Sequence, residues 1–71
     1  MMEGGKMEAK LEKLQSAMMS VMHCERSGDL MSLPINESRL MDAAIACGAS
    51  LEEPDYLVWA AMRLTDWLVS S

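Results

Sequence analysis

The sequence has no phenylalanine, only two prolines, two cysteines and one histidine, and fewer basic residues than acidic, six against eleven. Each shortage excludes something. Cys24 and Cys47 are too few for a disulfide framework, and neither stands in a C-x-x-C or Cys/His spacing of the kind that holds zinc. The net charge of −5 argues against a surface that grips nucleic-acid phosphates or anionic lipid, so neither direct nucleic-acid binding nor a membrane partner is expected. The longest apolar run, Tyr56 to Met62, falls far short of the roughly 20 residues that span a bilayer. A Gly-rich phosphate loop, a G-x-S-x-G turn and a defensible pair of catalytic carboxylates are also missing, so no enzyme, no cofactor and no metal is expected.

The N-terminus, "MMEGGKMEAK", carries charge and glycine where a secretory signal needs an apolar segment, which makes a reducing cytoplasm the expected compartment. Residues 1–6 are expected to be a disordered or expression-derived lead-in, and residues 7–71 a single helical domain. A chain this short buries only about 60% of its unfolded surface, and small scaffolds offset that with disulfides, a metal or association. Association is what the composition leaves open.

What the sequence does contain is helical periodicity. Met7, Leu11, Leu14, Met18 and Val21 recur at steps of four and three, a short heptad seam, with Glu8, Glu12, Lys13, Ser16 and Ser20 outside it. The helix should stop at "ERSGD", where Gly28 can take a left-handed conformation. "DLMSLPINESR" reads as a connection, because Pro34 disfavours a helical Leu33 and Asn36 can cap the next helix. That second, short helix is expected from Glu37 to Cys47, with Leu40, Ala44 and Cys47 in line, Met41 and Ala43 beside them, and Gly48 as its stop. "SLEEPD" then restarts the chain, either through a capping box of Ser50 and Glu53 or with Pro54 as the first helical residue.

The third helix is apolar over about 240° of its circumference, where a surface helix needs little more than about 100°. Its expected central stripe is Leu57, Ala61, Leu64 and Leu68. Val58, Met62, Thr65 and Val69 lie on one flank, and Tyr56, Ala60 and Trp67 on the other. Only Asp55, Trp59, Arg63 and Asp66 are left for water. Two short neighbours cannot cover so wide an arc, and the remainder would be a contiguous apolar patch of the kind that marks an interaction surface.

The bland readings of the chemistry-bearing residues win. His23 and Cys24 are adjacent, so on a helix they diverge by about 100° and cannot act as base and nucleophile. A Cys24–Cys47 disulfide is disfavoured if the first two helices are antiparallel, and both cysteines read as reduced packing residues. The acids of "EEPD" suit a helix N-terminus. Nine methionines, Met18, Met19, Met22, Met31, Met41 and Met62 among them, supply flexible thioethers that fill irregular gaps or adapt to partners, and core filling is the commoner role. Met19, about 100° from Met18, points away from the seam.

The sequence therefore describes an all-α helical hairpin or three-helix bundle, expected to dimerise. Its expected core or dimer seam comprises Leu11, Leu14, Met18, Val21, Leu57, Leu64 and Leu68, and its expected protein interface Met19, Tyr56, Trp59, Met62, Arg63 and Trp67. The layout is similar to that of small bacterial and phage accessory proteins, including secretion co-chaperones and phage-encoded inhibitors, a similarity of layout with no motif behind it. The expected function is non-enzymatic protein binding, as a regulator, inhibitor or co-chaperone, with partners in a second copy and a target protein. The competing reading is an acidic decoy that occupies a nucleic-acid-binding site on a host or defence protein, as anti-CRISPR proteins do.

Overall fold

A computed structural model of the chain describes residues 2–70, with side chains from Met7 onward, and among them are three helices and no strand. The helices are α1, Met2–Ser27; α2, Leu33–Ala46; and α3, Tyr56–Ser70. The all-α class expected from the sequence is the class observed. The lead-in expected over residues 1–6 lies outside the described side chains. No described helix is long and apolar enough to cross a membrane.

α1 buries Leu11, Leu14, Val21 and Cys24, with Ala17 and Met18 half-buried beside them. This is the expected heptad face moved on by one turn: Cys24 joins it, and Met7, expected at its start, is exposed. The helix ends where Gly28 takes φ +76, and the amide of Asp29 donates to the carbonyl of Cys24 at 3.0 Å. α2 ends in the same way. Gly48 takes φ +107, its amide donates to Ile45, and the amide of Ala49 donates to Ala44, each at 3.0 Å. A left-handed glycine just past each helix turns the chain so that following amides reach carbonyls of the last turn.

Two boundaries differ from the sequence reading. α2 begins four residues before Glu37, at Leu33, with Pro34 inside its first turn. Proline is tolerated there because a first-turn amide has no helical acceptor to lose. Asn36 consequently lies within the helix and caps nothing; the carboxylate of Asp29 instead accepts the Ser32 amide at 3.2 Å. α3 begins at Tyr56, past both sites expected for its start. Asp55 is the residue that caps it, one carboxylate oxygen accepting the amides of Leu57 at 3.0 Å and Val58 at 3.3 Å. Ser50 organises the preceding turn, taking the Glu52 amide on its hydroxyl and the Tyr56 hydroxyl on its carbonyl, the latter at 2.7 Å.

α1 and α2 form the antiparallel hairpin, and α3 lies across both. Val21 and Glu25 of α1, Leu40 and Met41 of α2, and Tyr56 and Leu57 of α3 line one cleft. At the other end, Arg63 and Lys10 lie close enough to Cys47 to bias its thiol. α3 thus runs parallel to α2 and antiparallel to α1, and residues 47–55 carry the chain back along the bundle. At a rise of about 1.5 Å per residue, α1 is about 39 Å long against about 21 and 22 Å for the others, and it sets the long axis of a 40 × 24 × 19 Å body.

The main correction concerns the phase of α3. Its buried residues are Ala60 and Leu64, with Tyr56, Leu57, Trp59 and Trp67 packed around them. Ala61 and Leu68, expected in the central stripe, are exposed, while Trp59 and Arg63, expected to face water, are half-buried. The inward face is therefore rotated by about 70° toward Tyr56 and Trp67. Area explains the choice: Tyr56, Trp59 and Trp67 each carry 150 to 250 Å² of surface, roughly, more than the valines and methionine they displace. Ala60, fully buried between them, lets α3 approach the hairpin closely, and the Tyr56 hydroxyl donates to the Ser50 carbonyl in this rotation.

Candidate protein interface

Because the aromatic side of α3 faces inward, its aliphatic side faces out. Val58, Met62, Leu68 and Val69 are 54, 68, 62 and 81% exposed. With Ala61 and Thr65 they recur at steps of three and four, so α3 carries a second helical seam about opposite the first. The only hydroxyl on that seam is spent within the helix: Thr65 Oγ1 donates to the Ala61 carbonyl at 2.7 Å. The seam therefore presents methyl, methylene and thioether groups, with no charged side chain among them.

At its N-terminal end the seam borders a groove between α1 and α3, lined by Met18, Met22, Leu57, Val58 and Ala61 and closed by Glu25 and Arg26. Thioethers on flexible stems make such a floor adaptable to more than one occupant. Seam and groove together form one apolar band with a concave end and a convex end.

Of the residues expected at the interface, Trp59, Met62 and Arg63 lie together, while Met19, Tyr56 and Trp67 lie apart from them. Met62 lies on the outward seam. Tyr56 and Trp67 pack against the core. Trp59 and Arg63 line a shallow hollow with Met62 and Asp66, so Trp59 borders the band while resting on the core. Met19, 60% exposed, belongs to a different groove, beside Ser20, His23 and Asn36. Met22, Val58 and Val69 are exposed on this band, and the expected interface does not include them. A signal is present in the spacing of 58, 62, 65 and 69, but a helix apolar on two sides offers two seams, and spacing does not say which one turns inward.

Of the polar and nucleophilic groups, Asn36 and Cys24 link two helices. Asn36 Nδ2 donates to Cys24 Sγ at 2.9 Å, tying α2 to α1. His23 is exposed while Cys24 is buried, so the adjacent pair diverges. Cys24 and Cys47 are both free thiols. Burial pushes the Cys47 thiol up, with Arg63 and Lys10 pulling it partly back, the opposite of what a reactive thiolate needs. Among the described residues no group of three or more His, Cys, Asp or Glu is placed to hold a metal ion. No protein-family model, curated protein or solved structure matches this chain.

Proposed function

We propose that the chain is a non-enzymatic protein-binding module, a small regulator, inhibitor or co-chaperone, that works through the apolar band on α3 and α1. The observation that carries this reading is the exposure of Val58, Met62, Leu68 and Val69 along one side of a helix whose other side already fills the core. Exposed apolar surface lowers solubility and is retained where a partner covers it. The reduced, buried thiols and the exposed apolar face of α3 fit a role in contact rather than in chemistry.

The test is capture from the native host with the wild-type chain and a Val58→Asp/Met62→Asp variant as paired baits. A partner held by the band is lost from the variant and retained by the wild type at raised salt, because apolar contact is little screened. A partner that leaves the wild type as salt rises, and binds the variant equally well, would instead identify the acidic-decoy reading.

A further inference from the structure

We propose that the partner covering the α3 seam is a second copy of this chain, the two α3 helices crossing antiparallel, so that Leu68 and Val69 of each enter the Met18–Met22 groove of the other. This rests on the binding-module reading and names its first partner.

Three observations lead to a second copy. The first is area. A folded chain of this mass exposes about 4,400 Å², whereas this one exposes 5191 Å². The difference of about 800 Å² equals one partner's share of a standard interface. α1, which outruns its neighbours, supplies part of it, and the outward seam supplies the part that lies beside the packed core. The second is charge. At a net −5, most ways of apposing two copies bring acid against acid, but the seam is free of charged side chains and so is the place where like can meet like without repulsion.

The third is shape. An isologous contact requires one patch to complement itself. A convex end at Leu68 and Val69 and a concave end at Met18, Met22 and Val58 do so when the helices run antiparallel, and each copy then fills the other's groove. A parallel pairing would set groove against groove. In the antiparallel register Val58 of one copy meets Val69 of the other, and Met62 meets Thr65, whose hydroxyl is already bonded to its own helix.

Light scattering and disulfide trapping test this on the full chain. The wild type at micromolar concentration should show twice the 7.9 kDa chain mass, and Met62→Glu should show the monomer mass with unchanged helical circular dichroism, since Met62 is not part of the core. Val58→Cys chains mixed with Val69→Cys chains and oxidised should cross-link to each other far more than either does to itself. The wild type, with Cys24 and Cys47 buried, serves as the blank. A wild-type monomer, or a dimer that survives Met62→Glu, overturns the proposal; self-linking of the single variants overturns the antiparallel arrangement. A monomeric wild type that still captures a host protein lost by Met62→Glu leaves the binding-module reading standing without this partner.

Discussion

Exchanging Ala60 for aspartate, and separately Ala61 for aspartate, places the same charge on neighbouring residues that the fold puts in opposite environments. Ala60 is fully buried beside Leu64, whereas Ala61 is exposed on the outward seam. Both changes lose the same helix propensity, about 0.7 kcal/mol, so the difference between them reports environment alone. At Ala60 the carboxylate must be taken from water with no cation or donor built to receive it, and an uncompensated buried charge costs on the order of 3 to 5 kcal/mol. A chain of this length has a total stability of about 4 to 10 kcal/mol. Ala60→Asp should therefore unfold the protein or lower its urea midpoint by about 4 to 6 M, for a slope near 1 kcal/mol per M. Ala61→Asp should shift the midpoint by about 1 M or less. Urea titrations followed by circular dichroism, at two protein concentrations, separate the terms: any part of the Ala61 effect that grows with concentration belongs to the seam. If Ala61→Asp proves the more damaging in dilute solution, the inward face of α3 is centred on Leu57, Ala61 and Leu64, and the assignment of the outward seam fails with it.

The local geometry implies two more outcomes. Asp55→Ala removes the oxygen that accepts the Leu57 and Val58 amides and should cost about 1 kcal/mol by urea midpoint, whereas Ser50→Ala should leave the start of α3 intact. Because burial raises the Cys47 pKa above its ordinary 9.0, the folded state favours the neutral thiol; its contribution to stability is present below pH 9 and lost as pH rises through the folded value. The urea midpoint should accordingly fall above pH 9 in the wild type more steeply than in Cys47→Ala, and an equal slope in both would remove Cys47 as the cause.

The parts of this fold that can be read from the sequence are those where one residue type has one physical use. Gly28 and Gly48 end their helices because the left-handed conformation strains any other residue, and Leu11, Leu14 and Val21 point inward because α1 has a polar back that leaves no alternative. Pro34 is harder, since proline breaks a helix in its interior and starts one in its first turn, and the sequence around it does not distinguish the two. The start of α3 is harder still: Ser50 with Glu53, or Pro54, mark it in the sequence, whereas Asp55 is the residue whose carboxylate accepts the first free amides. The phase of α3 is the least legible. Apolar residues occupy two opposite sides of that helix, and the choice between them rests on how much aromatic area the hairpin can cover, a tertiary quantity. The candidate interface inherits this: once the aromatic side turns inward, the exposed seam is what remains, and nothing identifies it before that rotation is known.

The connection over residues 47–55 brings α3 back along the bundle, and this orders the assembly of the protein in time. α1 and α2 are joined by a tight turn, so their pairing closes a small loop and can form on the microsecond scale of local structure. α3 has to be carried back before any of its contacts form, and Tyr56, Ala60 and Leu64 then meet a surface that is already made. The same step in reverse, release of α3 from an intact hairpin, is the lowest-cost opening available, and amides of α3 should exchange with solvent ahead of those beside Leu14 and Ala44. A chain caught in that opened state offers both of its α3 seams and a bare hairpin at once, so the return segment is also the hinge about which two copies would exchange their third helices.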